Sequence, residues 1–217
     1  MKDVMRLPPE LQPTNRRVEA FSDAVFAIAV TIMVLEIRVP DTLAFASDMA
    51  ALEDFATLLA IYVLSFVVVG ILWANHHYLV FTLPTSDRAT IWLNNHVLFW
   101  VTMVPVVARF FGQHPTSPRA TAAYAYVIMM CTFALTLLRR HAARVTENEV
   151  HRALHHRVFR RAWVAMALYA AAIPIAFMNI RISWALLLIL PALFFLPVIR
   201  LQAAKDEVHR AMEHSRP

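Results

Sequence analysis

Long runs without a charged residue alternate with short polar segments along this chain. The charge-free runs cover residues 55–86, 89–108, 120–138, 162–180 and 182–199. A helix needs about 20 mostly apolar residues to cross a hydrocarbon core of about 30 Å, and each run meets or approaches that length. The first run has room for one span plus a helical extension, with Pro84 as its predicted end. A sixth segment, Val18 to Ile37, precedes these five, and its apolar centre Ala24–Leu35 is bracketed by Asp23 and Glu36. The pattern predicts an all-α membrane protein with six transmembrane helices over residues 16–200, between terminal tails 1–15 and 201–217. Pro8, Pro9 and Pro13 mark the first tail as loosely ordered. Residues 41–53 form the first outer loop, in which Ser47 or Asp48 would cap a short helix through Asp54. Pro174, Pro191 and Pro197 fall inside the last two spans and predict kinks, which membrane bundles tolerate.

Charge sets the orientation. With a cytoplasmic N-terminus, 16 of the 20 Lys and Arg residues fall on the inner side, seven of them between Arg139 and Arg161. Only Arg38, Arg109, Arg119 and Arg181 fall outside. Both termini are therefore expected in the cytoplasm, of a chain residing in the cell inner (plasma) membrane. The Arg139–Arg161 stretch suits basic helix extensions near anionic headgroups. A secretory signal peptide competes for the first span: Arg16 and Arg17 resemble an n-region and Ala44-Phe45-Ala46 a cleavage site. Charged residues framing the apolar centre are unusual for a disposable leader, and the span reading is kept.

Composition narrows the chemistry. Hydrophobic residues make up 59% and charged residues 16%, against about 45–50% and about 25% in water-soluble domains. Gly70 and Gly112 are the only glycines, too few for a Gly-rich phosphate cradle or a re-entrant P-loop filter of carbonyl oxygens. Cys131 stands alone, so no internal disulfide or thiolate metal site is expected. The net charge of +5 reads as an orientation signal and not as a nucleic-acid surface. No nucleophile–base pair has a distinctive spacing, and an enzyme is not expected. His151, His155 and His156 have metal-like spacing, but no carboxylate or cysteine completes a site, and neither a metal nor a cofactor is assigned. His76 and His77 suit buried hydrogen bonding.

The first span carries the densest pattern. At 100° per residue, with Ile28 at zero, Ile32 falls at about +40°, Leu35 at about −20°, Thr31 at about −60° and Ala24 at about −40°. Asp23 and Ser22 lie about 140° and about 120° away, toward different neighbours. An aliphatic stripe is equally the mark of ordinary helix packing or lipid contact, and a buried Ser–Asp pair that of an interhelical hydrogen bond.

Arg17-Val-Glu-Ala-Phe21-Ser22-Asp23 matches the RxxxFSD signature of the transmembrane protein 175 family of lysosomal and bacterial potassium channels, which the chain resembles. Trp73-Ala-Asn75-His76-His77 and Trp92-Leu93-Asn94 resemble that family's second and third spans. The resemblance covers six spans in one repeat and implies a prokaryotic-type homotetramer with four first helices around a central pore. It implies a hydrophobic constriction at Ile28, Ile32 and Leu35, with Thr31 associated with cation preference. It also places the FSD motif off the pore face, tying the first helix to its neighbours, with Trp73, Asn75 and His77 as candidate partners. The permeant ion would be potassium, among other monovalent cations, and Glu36, Asp41, Asp48, Glu53 and Asp54 would concentrate cations at the outer mouth. The function so implied is a potassium-preferring cation channel. A proton-coupled secondary transporter, using Asp23, Glu19 and the histidines, is the runner-up, and a non-transporting membrane scaffold the third reading.

Overall fold

The computed structural model describes residues 15–37, 49–81, 83, 87–145 and 149–191. Among them every regular element is a helix: α1 Asn15–Leu35, α2 Met49–Phe81, α3 Arg88–Gln113, α4 Pro118–Val145, α5 Glu149–Met178 and α6 Ile180–Pro191. The first five contain stretches long and apolar enough to cross a membrane; α6 is described for its first 12 residues. The sixth expected span thus begins as a helix, and Pro197 and the C-terminal tail lie outside the described residues. So do Ser47, Asp48 and the Ala44-Phe45-Ala46 segment.

Local chemistry explains most boundaries. Asp87 caps α3, its carboxylate accepting from the Thr90 amide at 2.7 Å. Pro118 opens α4 at the position where a missing N–H costs nothing, and the Ser117 carbonyl accepts from the Thr121 amide. Asn179 is the single residue between α5 and α6, and its side-chain oxygen accepts from the amides of Arg181 and Ile182. This is a tight helical hairpin, closed by Ser183 Oγ donating to the Ala172 carbonyl. One boundary differs from expectation. The short outer-loop helix is the first turns of α2, which runs unbroken for 33 residues, about 50 Å at 1.5 Å per residue. Pro84, the expected end of that span, lies outside the described residues.

Among the first five helices as described, α1 touches α2 and α3; α3 and α5 flank α4, which also meets α2. The core lies among α2, α3 and α4, where Val69, Val101, Ala120, Cys131 and Leu138 are fully buried. At one end of it Phe111 packs tilted against Tyr124 and edge-on against Trp184, with ring centroids 5.3 Å apart in each pair. Tyr124 Oη lies 3.1 Å from Ser65 Oγ, giving a buried phenol the polar partner it requires. α4 is thus the central post of the subunit, and α1 a peripheral helix held along one side.

Candidate pore-lining site

α1 buries a narrow stripe and leaves a broad one open. Ser22, Phe26, Ala29 and Met33 face the subunit. Ile28, Ile32 and Leu35 do not: they are 57%, 42% and 80% exposed, and Thr31 between them is exposed too. The four residues on one side of the helical wheel therefore share one uncovered face. Thr31 Oγ1 donates to the Ile28 carbonyl at 2.9 Å, which consumes its proton and leaves its oxygen as an acceptor on that face.

The motif residues separate into two groups. Ser22 is fully buried; its Oγ accepts from Asn94 Nδ2 at 3.0 Å and donates to the Val18 carbonyl at 2.7 Å. Asn94 Oδ1 in turn accepts from His76 Nε2 at 2.6 Å. Since an amide oxygen only accepts, His76 carries its proton on Nε2. Ser22, Asn94 and His76 thus join α1, α3 and α2 through one buried chain of hydrogen bonds. Asp23 takes a separate partner on α2, Trp73, whose Nε1 donates to it at 2.9 Å. Arg17 and Phe21 point elsewhere and are exposed. On the wheel Phe21 lies about 20° from Ile28, so the open face continues through the motif itself.

Of the candidate partners, Trp73 meets the motif directly. His77 stacks on Trp73 at 5.6 Å and places Nδ1 3.4 Å from Glu19. Asn75 turns away, donating to the Ile71 carbonyl of its own helix. Ser22 is held instead by Asn94 of the WLN stretch, which is itself held by His76, the neighbour of His77 in the WANHH stretch. Glu19, Asp23 and His77 also bring one ligand atom each to within 4.8 Å of one another. That spread is wide for one ion held at about 2.0–2.2 Å by each ligand. The side chains of His151, His155 and His156 lie outside the described residues.

At the other end of α1, Arg109 on α3 pairs with Glu36 at 3.2 Å. One of the carboxylates expected to attract cations is thereby neutralised within its own subunit. Asp41 and Asp48 lie outside the described residues.

Known proteins share this organisation. A potassium channel of Chryseobacterium sp. (strain P1-3) is 30% identical over 195 residues, covering 89% of this chain and 99% of its own. The endosomal/lysosomal proton channel TMEM175 of Danio rerio is 34% identical over 114 residues, 49% of this chain and 22% of its own. The crystal structure of a lysosomal potassium-selective channel TMEM175 homolog from Chamaesiphon minutus superposes with a TM-score of 0.72 at 27% identity, covering 84% of this chain and 97% of that one. The family described as "Endosomal/lysosomal potassium channel TMEM175", a family of ion channels and not of enzymes, matches residues 17–105, from Arg17 of the motif to Pro105 of α3. With near full-length coverage of its bacterial relative, five membrane-crossing helices and the RxxxFSD start of α1, the chain is a multi-pass membrane protein that belongs to the TMEM175 family.

Proposed function

We propose that the protein is a potassium-preferring cation channel in which four copies pack their α1 helices around a central pore. Its termini face the cytoplasm and its membrane is the cell inner membrane. The observation that carries the reading is the open face of α1, which no other described element of the subunit covers. Bacterial relatives named as potassium channels support the permeant ion. Ile28, Ile32 and Leu35 span about 10 Å of helix axis at 1.5 Å per residue. Four copies would make a dry aliphatic collar, which excludes ions until it widens. A glycine-poor chain has no carbonyl filter to offer. Thr31 supplies the alternative: with its proton spent on Ile28, four hydroxyl oxygens would face a cation as ligands.

Single-channel recording in planar bilayers tests this. Ile28→Asn should wet the collar, giving larger unitary currents and weaker discrimination of potassium from sodium. Thr31→Ala should reduce discrimination with less effect on current. Val30→Ala, about 160° from Ile28, is the control for the pore face and should change neither in channels that assemble. Indistinguishable Ile28→Asn and Val30→Ala channels would end the pore assignment. Ion flux without unitary currents would favour a carrier, and neither would favour a scaffold. The Danio rerio relative's name also supports proton passage along the same path. A reversal potential that follows a pH gradient at constant potassium would establish it.

A further inference from the structure

The cleft among α2, α4, α5 and Pro191 of α6 is lined mostly by aliphatic and aromatic side chains, with Asn75, Thr132, Thr136 and Arg139 as its polar members. Val68, Leu72, Ile128, Tyr169 and Pro191 form its walls, and Arg139 closes one end. Arg139 is only 6% exposed. Among the described residues it forms no ion pair, and its one hydrogen bond is long, Nη2 to the Asn75 carbonyl at 3.4 Å. A guanidinium carries five N–H donors and a permanent charge. Burying it against apolar walls with a single long bond is costly unless an anion completes the site. The threonines and the asparagine beside it already donate to backbone carbonyls. Thr132 and Thr136 donate to the Ile128 and Thr132 carbonyls, and the Asn75 amide to Ile71. Arg139 is left as the charged group of the cleft, with one long bond for five donors.

Depth selects the anion. Arg119 and Arg139 bracket the charge-free part of α4, 20 residues apart, so about 30 Å separates them along the axis, the thickness of a hydrocarbon core. Arg139 therefore sits at the headgroup boundary. From there the cleft runs along α2 from Asn75 to Val68, about 10 Å toward the bilayer centre at 1.5 Å per residue. A charged end at headgroup level continuous with an apolar slot matches one class of ligand, a phospholipid of net negative charge. We infer that each subunit seats such a lipid, its phosphate on the Arg139 guanidinium and an acyl chain in the slot. The inference rests on the chain spanning a bilayer and is independent of the pore.

The test is native mass spectrometry of the full chain released from nanodiscs of equal phosphatidylglycerol and phosphatidylcholine, counting lipids that survive detergent exchange. Wild type should retain one phosphatidylglycerol per subunit, favoured about tenfold over phosphatidylcholine. Arg139→Met should lose that lipid, Arg139→Lys should keep part of the preference, and Arg140→Met, an exposed neighbour, should keep all of it. Equal retention of the two lipids by wild type overturns the proposal without any variant. Full preference in Arg139→Met overturns it as well. Inorganic phosphate added in excess should not displace the lipid; displacement would reassign the site to a free anion. A preference that emerges only when Asp206, Glu207 and Glu213 are neutralised would assign Arg139 to the chain's own tail and overturn the lipid.

Discussion

Ser22, Asn94 and His76 hold three helices together with side chains that have no water to fall back on. Removing one member of a buried network strands its partners, at about 1–3 kcal/mol for each group left unsatisfied. Asn94 is the middle member, so Asn94→Ala strands both Ser22 and His76. Asp23 is different: its bond is to Trp73, a half-exposed residue, and both groups can be hydrated when parted. Asn94→Ala should therefore lower the thermal unfolding midpoint of the detergent-solubilised protein well below that of Asp23→Ala. Equal losses would show that the buried chain contributes no more than the outer bond. The helical wheel was enough to turn Ser22 and Asp23 away from Ile28, because α1 has distinct faces. It did not identify His76 over His77 or Asn94 over Asn75. α2 is apolar on every side, and without an amphipathic pattern nothing in the sequence marks which of two adjacent histidines faces inward.

At the scale of elements, α3 depends on its first turn. Partial desolvation works to raise the Asp87 carboxyl, but the Thr90 hydrogen bonds and the nearby His141 outweigh it and hold its pKa below the ordinary aspartate value of 3.8. A carboxyl depressed in the folded state adds stability that is full above the unfolded pKa and is lost as pH falls through the folded one. Asp87→Ala should cost about 1 kcal/mol at pH 7, the usual worth of an N-cap. The gap from wild type should close below about pH 4, where wild type loses the same contribution. A gap that widens on acidification, read from unfolding midpoints across pH, would contradict the assignment. The spans themselves were legible because a bilayer imposes both length and the absence of charge. Their ends were less so. Pro105 looks like a breaker, yet it is buried inside α3. The outer-loop helix merged with α2 because nothing between Glu53 and Leu58 interrupts helical geometry.

For the whole molecule, the open surface of α1 continues onto α2. Leu59, Val63, Phe66 and Trp73 are exposed there at spacings of three and four, with Gly70 in the same series. Beside them on α1 lie Asp23, Ala27 and Val30, which share a cleft with Phe66, Gly70 and Trp73. No described residue occupies the space before Gly70, since a Cβ placed there meets none of their atoms within 4 Å. Gly112 is the opposite case, where an added Cβ falls 2.5 Å from Leu58 Cδ1 of the same subunit. A helix interior glycine costs roughly 1 kcal/mol relative to alanine, so an uncrowded one calls for a contact beyond the subunit. In a four-fold ring with α1 innermost, the α1–α2 cleft is the surface that meets the next copy, a heterologous contact that closes on itself. Gly70→Leu should then fill the cleft from within. Its subunits should keep wild-type helicity by circular dichroism, since the added side chain enters open space. Native mass spectrometry should find the tetramer weakened or lost, and planar bilayers should show no unitary currents from such preparations. Gly70→Ala, one carbon in the same space, should do so more mildly. Tetramers of wild-type stability carrying Gly70→Leu would show that lipid, and not a second copy, covers this face, and the ring would have to be built on another surface of α1.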